Sequence, residues 1–126
     1  MRIGGIVAAV GALLALGCCA LPAESVKSCS DGVSVRFPRG AAQLNLDAVG
    51  QVLLAVATLD ACPAARATVT GHADRGELRA LSAVRAANVA SVLAKNGIDR
   101  RRILVRNAGD EIAAKSDNRR VSIVWR

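Results

Sequence analysis

Residues 67–93 read ATVTGHADRGELRALSAVRAANVASVL, and a change of rhythm inside this stretch decides the fold class. Ala67 to Thr70 is a short run with β-branched residues, read as a strand, and Gly71 reads as its breaker. A polar segment from Gly71 to Ala80 follows. From Leu81 onward the spacing turns helical: Leu81, Val84, Val89, Val92 and Leu93 mark a helix, Lys95 falls in its last turn, and Gly97 is a good C-terminal stop.

The same reading extends outward in both directions. Upstream, Val33, Val35 and Phe37 alternate with Ser34 and Arg36, the period of a strand with one apolar face, and Pro38, Arg39 and Gly40 end it. Leu46, Val49, Val52, Leu53, Val56 and Leu59 recur at spacings of three and four, which puts them on one side of a helix. Asn45 or Asp47 can cap its start by accepting backbone N–H bonds, and Cys62-Pro63 stops it. Downstream, Ile103 to Val105 and Val121 to Trp125 read as two more strands, Trp125 being a packing residue. The order β-α-β-α-β-β predicts an α/β protein of the α+β sandwich kind, with two helices packed on one face of a small mixed sheet. It is assigned to residues 31–126.

The N-terminus reads differently. Arg2 precedes an uncharged run from Ile3 to Leu16 made only of Ile, Val, Leu, Ala and Gly, and small residues follow from Gly17 to Ala20. A basic start, an apolar run and a small-residue exit is the pattern of a secretory signal, placed at residues 1–19, with a short tether over 20–30. A retained membrane helix is the alternative, but the run is short of the roughly 20 residues needed to span a bilayer. Two exits stay open. Ala15-Leu16-Gly17-Cys18 resembles a lipobox, which would make Cys18 a lipidated N-terminus. Cleavage after Ala20 is the rival. No role is read for Cys19.

Export places Cys29 and Cys62 where disulfides persist. In an antiparallel strand–helix unit, the start of the strand and the end of the helix lie at the same edge, so this topology brings the two cysteines close. A disulfide there would stabilise the domain by about 3–4 kcal/mol. Two separate buried thiols are the alternative.

The formal charge of +7 favours anionic partners. Nucleic acid is read as excluded: the leader implies export, and with one Phe, one Trp and no Tyr the chain has almost no stacking platforms. The densest basic run, Arg100 to Arg102, sits at a predicted turn and reads as a solvated face. Cell-wall polymer or lipid head groups suit the compartment.

Four motifs carry a resemblance. Thr70-Gly71-His72-Ala73-Asp74-Arg75-Gly76, then Leu81-Ser82-Ala83-Val84-Arg85-Ala86 with Val89, then Gly97-Ile98, then Asp117-Asn118-Arg119-Arg120-Val121 resemble the signature of OmpA-like domains of the peptidoglycan-associated lipoprotein type. The match runs in register over roughly Val33 to Trp125. The resemblance implies a domain that binds peptidoglycan without cleaving it, by holding the diaminopimelate of the stem peptide, and so ties the outer membrane to the wall. It implies Asp74 and Arg85 as the principal site residues, with Gly71, His72, Leu81 and Arg119 around them. The chemistry is consistent: the free end of diaminopimelate is a zwitterion, for which Asp74 offers a carboxylate and Arg85 a two-pronged donor. A plain ion pair between Asp74 and Arg85 is the bland alternative. The resemblance, with the residue after Cys18 not being Asp, also implies a periplasmic lipoprotein held at the outer membrane.

The chain departs from the family pattern beside this site. The segment between Asp74 and the second helix is several residues shorter than usual, and Leu78 stands where the family tends to have Asn. These departures motivate a second reading, an envelope protein–protein scaffold on the same fold with weakened or lost wall binding. Neither a cofactor nor a metal is expected: His72 is the only histidine and lacks partners at ligand spacing. Ser82 falls at a helix start, where Ser usually caps, so a nucleophilic role with His72 as base is not favoured and no enzymatic activity is expected.

Overall fold

The computed structural model describes residues 29–109 and 118–126. The expectations for the leader, the lipobox at Cys18, Cys19, most of the tether and Asp117 lie outside the described residues. The order is β1 (Asp31–Arg36), α1 (Leu46–Ala61), β2 (Ala67–His72), α2 (Ala80–Lys95), a single 3-10 turn η1 (Arg100–Arg102), β3 (Ile103–Gly109) and β4 (Arg120–Trp125). The strands form one sheet in the order β1-β4-β2-β3. β4 lies between β1 and β2 and is antiparallel to both, whereas β2 and β3 are parallel and are joined through α2. The mixed sheet and helix count are those read from the sequence.

Alternation along the strands explains where the core sits. Val35 of β1, Ala67 and Val69 of β2, and Val121, Ile123 and Trp125 of β4 are buried and cluster with Val52, Val56 and Leu59 of α1 and Ala86, Val89 and Leu93 of α2. Side chains at odd positions therefore point at the helices, as the two-residue period of a strand requires.

The face of α1 is rotated from the expected one. Leu46 is 90% exposed and Leu53 is also exposed, whereas Ala48, Ala55 and Thr58 are buried beside Val52, Val56 and Leu59. Alanine's small side chain lets the helix backbone approach the sheet, so the contact stripe runs through alanines that a count of large apolar residues passes over. The Asn45 cap is as expected, its Oδ1 accepting from Ala48 N at 2.8 Å. At the other end Cys62 is disulfide-bonded to Cys29 with their Cα atoms 5.6 Å apart. This is the pairing that the topology brought into reach.

Four local readings are corrected. Gly71 does not end β2 but lies inside it, paired with Val121 and Asn107. A Cβ at Gly71 would fall 1.9 Å from the Ser82 carbonyl oxygen, so the glycine is there for close strand–helix approach, not for a turn. Ser82 is not the cap of α2: it is buried in the first turn, with its hydroxyl donating to Arg79 O at 2.7 Å and lying against the Asn107 side-chain amide. Val84 faces outward at 47% exposure while its neighbour Arg85 is fully buried. Arg102 is not solvated with the rest of its run. It is half-buried and donates to Ala65 O, Leu59 O and Cys62 O at 2.8–2.9 Å, satisfying carbonyls at the end of α1 and in the turn after it.

Candidate functional site

The proposed residues gather at the C-terminal end of β2, opposite the disulfide. Arg85 reaches this end from the second turn of α2, and all five of its N–H donors are used. Nε donates to Ala41 O at 2.8 Å. Nη1 donates to His72 O at 3.1 Å and to Glu77 Oε1 at 2.9 Å. Nη2 donates to Pro38 O at 3.3 Å and to Glu77 Oε2 at 2.8 Å. The guanidinium carbon also lies 5.3 Å from the centre of the Phe37 ring, a cation–π distance.

Glu77 is the unforeseen member. Its side chain is 2% exposed and it meets Arg85 fork to fork. Oε1 also accepts from Asp74 N at 2.8 Å, and Oε2 from Gly40 N at 2.7 Å. Four converging donors favour the charged carboxylate. Hydrogen bonding from Arg85 is the chief cause that lowers its pKa to about 2, against the opposing effect of burial.

Asp74 lies just beyond β2 and is buried. Its Oδ1 accepts from Asn118 N and its Oδ2 from Arg119 Nη1 at 2.9 Å. Arg119 Nε donates in turn to Phe37 O at 3.3 Å. Asp74 and Arg85 thus do not pair with each other. Each holds an opposite charge of its own, and Glu77 links them by accepting from the backbone of one and the side chain of the other.

The remaining expected residues are placed around this network. His72, the last residue of β2, is buried and holds Arg85 through its carbonyl. Gly71 admits α2 against the sheet. Leu81 is half-buried at the start of α2. Leu78, in the shortened segment, is 78% exposed.

Sequence reasoning passed over Glu77, Phe37, Ala41 and Gly40 as members of the site. Glu77 and Arg85 are eight residues apart across a loop-to-helix junction, where no periodicity pairs them. The one available signal was electrostatic: an arginine buried on a helix requires a nearby anion, and Glu77 is the acidic residue that the shortened segment carries.

Comparison with known proteins agrees with this architecture. The model of the OmpA family matches residues 36–124. No curated protein matches the chain. Among solved structures, the OmpA-like domain of FopA1 from Francisella tularensis is similar with a TM-score of 0.68 at 21% identity, over 79% of this chain and 75% of that one. The C-terminal domain of Helicobacter pylori MotB gives 0.66 at 18% identity, over 75% and 84%. The peptidoglycan-associated lipoprotein from Burkholderia pseudomallei gives 0.63 at 20% identity, over 74% and 89%.

Proposed function

Because this chain belongs to the OmpA family, whose model covers residues 36–124, we propose that it binds peptidoglycan non-covalently through the diaminopimelate of the stem peptide. A buried guanidinium and a buried carboxylate at one end of the sheet, each bonded elsewhere and not to the other, carry this reading. Arg85 suits the ligand carboxylate and Asp74 the ligand ammonium. His72 O fixes the arginine, Gly71 sets the depth of α2, Arg119 holds Asp74, and Leu81 lies beside them. Charge-assisted hydrogen bonds contribute about 1.5–3 kcal/mol each, enough for useful affinity when the partners are held in place.

The wider role follows from the N-terminal sequence: a lipid on Cys18 would tie the domain to the outer membrane, with the wall on its other side. The domain acts as a binding module without hydrolysis. A named relative, the peptidoglycan-associated lipoprotein, supports the wall as ligand.

The test is sedimentation of the purified chain with isolated peptidoglycan. The chain is expected in the pellet, and Asp74→Asn and Arg85→Lys, each checked for a native circular dichroism spectrum, in the supernatant. Unchanged sedimentation of both folded variants would sink the assignment of the pair. Release of soluble muropeptides would overturn the non-enzymatic reading, and retention of Cys18→Ser in the membrane fraction would overturn the lipid anchor. The scaffold reading keeps one observation in its favour: Leu78, exposed beside the site, is an apolar contact for a protein partner. It gains ground if the wild-type chain stays in the supernatant and Leu78→Asp abolishes a crosslink to an envelope protein.

A further inference from the structure

The Arg85 guanidinium, Gly40 N and Asp74 N together make a seat for one carboxylate, with four hydrogen bonds of 2.7–2.9 Å converging on it. The carboxylate in that seat is the chain's own. We propose that Glu77 is a built-in stand-in for the ligand carboxylate, and that the Arg75–Arg79 segment is a self-inhibiting latch that must release for the site to load. The identity of the ligand rests on the wall-binding reading above. The seat itself does not.

Three observations support an exchangeable latch over a fixed structural pair. First, Glu77 is the only half-buried residue of the segment. Arg75, Gly76, Leu78 and Arg79 are all exposed, and Leu78 anchors nothing in the core. The Glu77 carboxylate carries the segment's bonds to Gly40 and Arg85, whereas the bonds from Glu77 N to Asp74 O, from Leu81 N to Leu78 O, and from Ser82 N and Oγ to Arg79 O are local to the turn and the start of α2. Second, Gly76 has φ +94°, a conformation open to glycine and costly for other residues, directly beside the latching residue. Third, the exchange conserves charge. An incoming carboxylate takes the place of the leaving one on Arg85, so the loaded state, like the latched one, holds the buried guanidinium against an anion, and the state without one stays minor. Glu77 meanwhile moves to water, which solvates it well.

The consequence is an affinity lowered by the fraction of time the latch is open. Removing the Glu77 carboxylate is therefore expected to tighten diaminopimelate binding by on the order of tenfold or more. It also makes the fold itself dependent on an added carboxylate.

The experiment compares the purified wild-type chain with Glu77→Ala and Glu77→Gln. Thermal midpoints are recorded with acetate, with meso-diaminopimelate and with chloride at equal ionic strength, and wall sedimentation is run in parallel. The expected result is a midpoint lowered in Glu77→Ala, raised again by acetate or diaminopimelate but not by chloride, with no rise from acetate and a smaller rise from diaminopimelate in the wild type. A variant that folds only in acetate gives the same support. A folded variant indifferent to both carboxylates, or one left unfolded by them, overturns the proposal and makes Glu77 a structural counterion. Acetate rescue without any wall or diaminopimelate binding keeps the seat and sinks the wall-binding reading. Equal sedimentation of wild type and a folded Glu77→Gln keeps that reading and sinks the latch.

Discussion

Arg85 and Arg102 occupy opposite ends of the same sheet and differ in burial and in what they bond. Arg102 spends its bonds on three backbone carbonyls at the end of α1 and in the turn that follows it, beside the disulfide. Arg85 spends three on carbonyls and two on a side-chain carboxylate. A carbonyl belongs to the fold and leaves only if the fold opens. A carboxylate on a loop can be replaced by another carboxylate. The first end is a clasp, where a cation favourably meets a helix C-terminus. The second has the chemistry of a binding site.

The largest effect is expected at the second end. Arg85→Ala removes the buried guanidinium that holds Glu77 and three backbone carbonyls together, and should lower unfolding stability by about 3–5 kcal/mol, read from the urea midpoint. Arg102→Ala removes three bonds at a half-buried position that water can partly reoccupy, and should cost about 1.5–3 kcal/mol. Wall sedimentation of the Arg102 variant should match the wild type at temperatures where it is folded. Equal losses of stability and of sedimentation in the two variants would break the contrast between clasp and site.

Acid sharpens the contrast. The pKa of Glu77 is lowered from its ordinary 4.5 to about 2 by Arg85. Its folded value lies below its unfolded one, so its contribution is fully present above about pH 4.5 and is lost as the pH falls toward 2. Urea midpoints measured across that window should fall in the wild type and fall less in Glu77→Gln. Asp99, next to the Arg102 end, is also held down to about 2 by Arg101, but that pair is exposed and joins residues two apart, so it adds little to the acid limb. An acid limb unchanged in Glu77→Gln would mean that other carboxylates carry it.

The smallest effect tests whether stability alone governs binding. Asn45→Ala removes the α1 cap and should cost about 1 kcal/mol. Peptidoglycan sedimentation should not change. A loss of sedimentation from this remote cap would show that wall binding tracks global stability.

Much of the fold was legible because local patterns and tertiary placement agreed. Val33, Val35 and Phe37 alternate in sequence, and Val35 and Phe37 are buried. Gly97 adopts φ +97° after α2, as a helix stop of that type requires. The disulfide followed from strand–helix topology. Legibility failed where a residue's role depends on what lies across from it. Gly71 reads as a breaker until Ser82 is set against it. Leu53 reads as core until Ala48 and Ala55 let the helix turn a different face inward. Arg102 reads as surface until the end of α1 arrives beside it.

The amino-acid sequence by itself determined the order of strands and helices, the α/β class and the family, because each of these lives in local spacing or in short motifs; it brought Cys29 and Cys62 to one edge, and the tertiary structure joined them. It also put Asp74 and Arg85 forward. Only the tertiary structure decided who holds them. The partner of a buried charge is whichever opposite charge the fold brings within about 3 Å, and here residues distant in sequence or unrelated by periodicity, Arg119 and Glu77, are brought there.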